Sequence, residues 1–421
     1  MRECETMKRM VQVLMMTAFL TAGICILLET ASAMIPGYLL EESSRETSAY
    51  YYNSELFPVM ERGNEATRID YYADTLLLNV IYGIDCKRPF YSIICALYYD
   101  AEGVGTNQDY AFAVWDERKP NTSYLRYWHG SIVWLRPLLI RLNGTDILRL
   151  YKIILYLGMG AVVLFFISRG GWKISISLLL SFVWIRGQML ATCLEYGNIA
   201  VFTVCLIPFF LHFSGKSRIR LWQMCVICGI VTCFIDFLTI ETVALSLPLG
   251  VLLLSGRQEE QNKRNGNLIT TFYAVFIWGI SYAAMFLLKW LLAAAVMGGE
   301  CIVDSFRRTG AHMQGNAVLS VCRNIQMLFA GADVSQAGTW IMTGVYVGLL
   351  CLAVTVAWKA GRKELILLMM IPYLRYVLLA KHSSQHAFFT YRAQMTTICI
   401  MIYMLLEWIE KRTKEKMGEK L

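Results

Sequence analysis

Residues 268–297 read LITTFYAVFIWGISYAAMFLLKWLLAAAVM, thirty positions with a single charge, Lys289. A helix needs about 20 apolar residues to cross the roughly 30 Å of hydrocarbon in a bilayer, so this run is expected to span a membrane. Comparable runs at 9–28, 148–168, 174–193, 196–213, 221–239, 242–255, 339–358, 364–380 and 394–409 bring the expected number of spans to ten. The 421 residues are 57% hydrophobic and 17% charged, and mean hydropathy is +0.47, a balance unlike that of a soluble domain. The expected fold class is therefore an all-α integral membrane protein. Residues 1–421 form one membrane domain, with a long outer loop at 30–147 containing juxtamembrane helices, further spans over 148–409, and a basic tail at 410–421. Within 221–255 the second run is short and holds Pro248, so a re-entrant hairpin is the alternative there.

Charge sets the expected orientation. The net charge is +8, but the bases lie in short clusters between apolar runs and form no stripe that would suit nucleic acid. Lys and Arg accumulate in short cytoplasmic loops. Alternate connections carry Arg169 and Lys173; Lys216, Arg218 and Arg220; Arg257, Lys263 and Arg264; Lys359, Arg362 and Lys363; and the tail carries Lys411, Arg412, Lys414 and Lys416. Both termini are thus expected on the cytoplasmic side of a multi-pass cell-membrane protein. Arg2, Lys8 and Arg9 before the apolar run 11–28, with Ala31-Ser32-Ala33 after it, imitate a cleavable signal. That run is longer than the roughly 7–15 residues of a signal core, which favours an uncleaved anchor over cleavage after Ala33. The thirteen cysteines are scattered, mostly through apolar runs, with no disulfide framework or zinc spacing.

The loop at 30–147 is far longer than a connection requires, which marks a functional loop or inserted domain. Asp70 to Tyr82 reads as a helix with Leu77, Leu78 and Ile81 on one side, Gly103 to Gln108 as a flexible tip, and Ser131 to Leu142 as a helix lying in the membrane interface. Asp70 and Asp74, four apart, would share one face of the first of these. One of them would serve as general base while the other orients it or binds a metal. Equally, Asp70 as N-cap and Asp74 in the first turn would simply favour the helix dipole. Arg126-Tyr127-Trp128-His129-Gly130 combines a fixed cation, aromatic faces and an imidazole, a set suited to a sugar ring or a phosphate. An interfacial aromatic belt with an Arg anchor is the alternative.

Ionisable groups within spans cost about 2.5–3.5 kcal/mol each at mid-membrane, so their placement is informative. Arg186, Asp236, Lys289 and Arg375 all fall in the outer halves of their expected spans. Snorkelling explains Arg375 as well as function does, whereas Asp236 and Lys289 fit a polar cleft that opens outward. Arg307, Arg308 and Arg323, with Lys381, His382, His386 and Arg392, would neutralise a phosphate or diphosphate. His382 and His386 have the i, i+4 spacing of metal ligands but lack the Glu of an H-E-x-x-H pattern, so hydrogen bonding to a substrate or a neighbouring loop is favoured. No P-loop, dinucleotide fingerprint, nucleophile elbow or zinc motif is present. Group transfer on the outer face would need a donor already activated and held in the membrane.

Together these features resemble the GT-C class of membrane glycosyltransferases: one N-terminal span, a long outer loop with acidic residues and juxtamembrane helices, then a bundle of spans with basic outer loops. The motifs that carry the likeness are Arg68-Ile69-Asp70-x-x-x-Asp74, Arg126-Tyr127-Trp128-His129-Gly130, Phe234-x-Asp236-Phe237-Leu238-Thr239, Lys289-Trp290 and Phe388-Phe389-Thr390-Tyr391-Arg392. In that class the catalytic acid usually follows the first span closely; here Glu29 closes the span, Glu41 and Glu42 follow, and Asp70 lies farther on. The resemblance implies that Asp70 deprotonates an acceptor hydroxyl on a glycan, lipid or protein of the cell envelope. This attacks the anomeric carbon of a polyprenyl-phosphate sugar with inversion. Lys289, Arg307 or Arg308 would hold the leaving phosphate, and Trp128 and His129 would frame donor or acceptor. Some members use a divalent metal, for which no motif is present here. A transporter or flippase of lipid-linked glycans, or a non-catalytic assembly protein, is the competing expectation. A transporter often carries internal inverted repeats, and none is evident.

Overall fold

The computed structural model describes residues 2–213, 217–256, 265–332 and 335–418. Lys216, Arg257, Lys263 and Arg264, used above to orient the chain, lie outside the described residues, as do the side chains of Arg2 and Arg308. The regular structure of the described chain is helical, apart from two antiparallel two-residue strands, Leu97–Tyr98 and Thr122–Ser123, and one isolated bridge.

Among the described residues six helices are long and apolar enough to cross a membrane: Met7–Ala33, Gly144–Ile167, Leu194–Phe213, Arg218–Ile235, Asn267–Met297 and Gln336–Lys359. Their outward faces are apolar, as at Phe19 and Leu27, which are 72% and 70% exposed. Such a surface is costly in water and at home in lipid. The chain is an all-helical membrane protein.

Four other runs expected to span have shorter or more polar helices. Trp172–Trp184 and Glu241–Leu254 are apolar but short, Lys363–Leu378 contains Arg375, and Met395–Lys416 ends in a charged tail. The expected continuous run 174–193 is broken: Arg186 adopts φ 54°, left-handed, and a 3₁₀ turn Gly187–Ala191 follows. A non-glycine residue in that region ends an α-helix.

Every residue of Glu241–Leu254 is buried, although at about 1.5 Å per residue the helix is only about 21 Å long. It packs against Leu194–Phe213, Lys363–Leu378, Met395–Lys416 and Arg218–Ile235, and so forms the centre of the bundle. Arg218–Ile235 and Asn265–Met297 lie close together at Gly229, where an added Cβ would sit 2.5 Å from the Trp278 carbonyl oxygen. Small residues permit such approach between membrane helices. The first helix completes this side by packing on Arg218–Ile235 and on Ile132–Leu138.

Several charges expected at a cleft or interface are structural ties. Arg375 neither snorkels nor lines a cleft. Its Nε donates to Glu241 Oε1 at 2.7 Å, and its other nitrogens donate to the Leu238 carbonyl and the Ser383 hydroxyl. Arg186 donates to the Ala330 carbonyl. The helix expected to lie in the interface is the seven-residue Ile132–Leu138; its Arg136 is buried and donates to the carbonyls of Ile35 and Ile81. The expected tip is also shorter, since a helix begins at Thr106 and Asn107 is buried, its amide donating to the carbonyls of Tyr51, Tyr52 and Ser54. The segment 30–147 is thus packed onto the bundle.

Candidate functional site

Asp70 ends an extended segment and caps the helix Tyr71–Tyr82, one carboxylate oxygen accepting the Ala73 N–H at 2.9 Å. An Asp in this position satisfies a helix donor that would otherwise be orphaned. The same side chain lines a cavity of about 180 Å³. Burial pushes its carboxyl up to about 7; the Ala73 hydrogen bond pulls down, and the nearby Asp74 charge pushes further up.

Arg126, Tyr127 and His129 enter the same cavity. The Arg126 guanidinium donates to the Tyr124 hydroxyl at 3.1 Å and lies over the rings of Tyr124 and Tyr127, at 4.8 and 5.6 Å. Its carbonyl is held by Trp290 Nε1. His129 packs edge-on to Tyr124 and Phe237, is buried, and has no hydrogen-bond partner on either ring nitrogen. Burial, reinforced by the Lys289 charge, holds its pKa well below the usual imidazole range. A buried neutral imidazole with both edges free is suited to bind or relay a proton for a ligand.

The turn after His129 is fixed by Gly130, whose N–H donates to the Phe234 carbonyl at 2.8 Å. An added Cβ would lie 2.3 Å from the Phe234 ring and 2.5 Å from that carbonyl oxygen. Gly130→Ala is expected to cost about 1–3 kcal/mol by overpacking. The thermal unfolding midpoint in detergent should fall; an unchanged midpoint would show that the contact relaxes freely.

The third wall is imidazole. His382 and His386, in and just after the short helix Ala380–Gln385, have ring centroids 4.8 Å apart, and His312, from the helix Glu300–Met313, lies 5.2 Å from His382. All three line the cavity, with Glu195 from the first turn of Leu194–Phe213. No group of three His, Cys, Asp or Glu among the described residues is arranged to hold a metal ion.

No family model, curated protein or solved structure matches this chain. Its site therefore has to be read from its own geometry.

That geometry separates the residues singled out from the sequence. Asp70, Arg126, Tyr127, His129, His382 and His386 converge. Asp74 does not line the cavity: it is buried and accepts from Leu194 N–H at 2.8 Å, Glu195 N–H at 3.3 Å, the Tyr51 hydroxyl at 3.0 Å and the Cys193 thiol at 2.9 Å. It closes the N-terminus of the helix Leu194–Phe213, and the second carboxylate in the cavity is Glu195. Trp128 points away, its Nε1 donating to the Met285 carbonyl at 2.8 Å. Lys289 is fully buried beneath the Trp128 ring, 5.1 Å from its centroid, with Nζ donating to the carbonyls of Ile93 and Ile94. Asp236 folds back on Thr239 and shapes the turn that presents Phe237 to the cavity. Arg68 pairs with Glu65 and lies over Phe388. Arg392 is buried, donating to the carbonyls of Ala66 and Phe388. Arg307 is exposed and paired with Asp304.

Glu195, His312, Tyr72 and Tyr124 were not picked out from the sequence, yet they line the cavity. Glu195 carried a usable signal: it is an acid in the two-residue gap between the runs 174–193 and 196–213, a turn expected to face outward with Asp70.

Proposed function

We propose that this protein is a GT-C-like membrane glycosyltransferase that moves a sugar from a polyprenyl-phosphate donor to a cell-envelope acceptor. In this reading the chain crosses the membrane ten times, both termini are cytoplasmic, and the cavity opens to the outer face. The observation that carries it is the meeting of Asp70, His129 and Arg126 in one cavity between the outer segment and the bundle. At about 180 Å³ the cavity is below the roughly 300–1,000 Å³ of common ligand pockets, so it suits one sugar ring or a phosphate head.

In the proposed step Asp70 takes the proton of an acceptor hydroxyl. The oxygen attacks the anomeric carbon, and the bond from that carbon to the phosphate oxygen breaks, its electron pair leaving with the phosphate. A carboxylate raised towards neutrality is well matched to that proton transfer. Tyr124, Tyr127 and Phe237 offer aromatic faces to a sugar. A separate apolar groove of about 490 Å³ runs between the first helix and the helices Arg218–Ile235 and Asn265–Met297, past Phe19, Ile230 and Ile280. It suits a prenyl chain.

The deciding experiment places the purified protein in liposomes with radiolabelled polyprenyl-phosphate sugars and candidate acceptors. Consumption of the donor, with label appearing in the acceptor, is the expected result. Donor that crosses the bilayer unchanged would replace this reading with a flippase. Neither transfer nor movement, across a panel of donors, would leave a non-catalytic assembly protein.

A further inference from the structure

Two of the residues that the resemblance would give to a leaving phosphate are occupied elsewhere: Lys289 with backbone carbonyls and Arg307 with Asp304. The cavity supplies other groups. His382 is 5% exposed and its Nδ1 has no hydrogen-bond partner; His386 Nδ1 and His312 Nε2, buried atoms on half-buried side chains, have none either. Unpartnered buried nitrogens are uncommon in folded proteins, and three of them lining one cavity leave it open to an acceptor from outside the chain. We propose that His312, His382 and His386, together with Arg126, form a subsite for the phosphate of a phosphate ester. This deepens the function proposed above, since it names the part of the same cavity that receives the leaving group.

The turn is built to hold these rings in place. The His386 N–H donates to the His382 carbonyl at 2.9 Å, and the His386 ring stacks on Phe389 with centroids 5.3 Å apart. Arg323 donates to the Ser384 hydroxyl at 3.0 Å and Asn324 to the Ser383 carbonyl at 2.9 Å, so the helix Ala317–Gln326 braces the turn from behind. Arg126 spends one nitrogen on Tyr124 and keeps a planar set of donors of the kind that suits phosphate oxygens.

Without a ligand the rings are held neutral. Burial is the main cause, and neighbouring cations add to it: Arg126 and Lys381 act on His312, and Arg375 and Arg126 on His382; His386 is pushed down to about 4 by burial, His312 and Arg375. Asp70 and Glu195, lining the same cavity, are the facing carboxylates, and Tyr72, Tyr124 and Tyr127 the facing phenols. An incoming phosphate supplies the missing counter-charge and raises the histidine pKa values. Between the free and bound values, binding takes up protons, so affinity strengthens as pH falls. Protonation of Asp70, and of Glu195 in the same cavity, works in the same direction, so Asp70→Asn removes the Asp70 part and the histidine variants identify the contribution of the histidines.

The test uses full-length protein in nanodiscs, titrated calorimetrically with citronellyl phosphate and, separately, with inorganic phosphate, in two buffers of different ionisation enthalpy at pH 6 and pH 8. Citronellyl phosphate should bind at least tenfold more tightly at pH 6, with net proton uptake that persists in Asp70→Asn. His382→Gln and His312→Gln should each weaken binding about tenfold and reduce the uptake. His312 is only half-buried on its helix, so His312→Gln remains informative if the His382 variant fails to fold. Equal binding of inorganic phosphate would support the same site with a free ion, not a lipid head, as its ligand. Unchanged affinity and proton uptake in folded histidine variants would overturn the proposal. Sugar transfer measured alongside separates the two readings: transfer with histidine-independent phosphate binding removes this subsite only, and histidine-dependent binding without transfer removes the enzyme only.

Discussion

Asp70→Asn should lower sugar transfer by at least about a hundredfold, the lower bound expected for losing a positioned general base, while the protein stays folded. The two effects separate because Asp70 has two tasks. Its oxygen caps the helix Tyr71–Tyr82 by accepting the Ala73 N–H, and Asn caps about as well as Asp. Only the carboxylate can take a proton. The wild-type rate should rise as pH increases through about 7, because burial holds the Asp70 carboxyl near that value and only its deprotonated form is a base. Rates with a short-chain prenyl-phosphate sugar from pH 5 to 9, beside unfolding midpoints of both proteins, provide the measurement. Full activity in a folded Asp70→Asn protein would exclude Asp70 as the base.

Asp74→Ala should fail in the opposite way, with loss of the fold. Four donors converge on this buried carboxylate, from Tyr51, Cys193, Leu194 and Glu195. Hydrogen bonds to charged groups contribute about 1.5–3 kcal/mol each, and a buried donor left without a partner costs about 1–3 kcal/mol. A loss of at least about 3 kcal/mol follows even if most donors find substitutes. The expected signs are poor recovery of monodisperse protein and a lowered unfolding midpoint. A stable Asp74→Ala protein with transfer as low as in Asp70→Asn would instead place Asp74 in the chemistry.

These two residues also show how far the sequence could be read. Asp70 was legible as a helix start, and the structure makes it the cap while placing it in the cavity. Spacing alone suggested that Asp74 shares its surroundings. Its partners at Cys193, Leu194 and Glu195 lie about 120 positions away, beyond any local pattern. Lys289 follows the same logic: a charge in an apolar run signals a polar partner, but no periodicity reveals that the partner is the pair of carbonyls of Ile93 and Ile94. The apolar runs were legible because length and hydropathy are local properties. The early end at Trp184 was not, because Arg186 takes up a left-handed turn while donating to Ala330, far along the chain. Of the cavity, the Arg126 to His129 cluster and the pair His382 and His386 were visible as dense runs of reactive side chains. His312, alone in its stretch, gains meaning only from a neighbour 70 positions on.

The buried pair of Glu241 and Arg375 bears on how the protein is made. Glu241 opens the fully enclosed central helix, and its counter-ion follows 134 residues later. At roughly 5–20 residues per second, a ribosome leaves that carboxylate without a partner for on the order of ten seconds. A helix that carries it has no stable place in lipid by itself. The centre of the bundle is therefore completed from the C-terminal side, and a chain cut short before Arg375 lacks the charge that lets its own core settle.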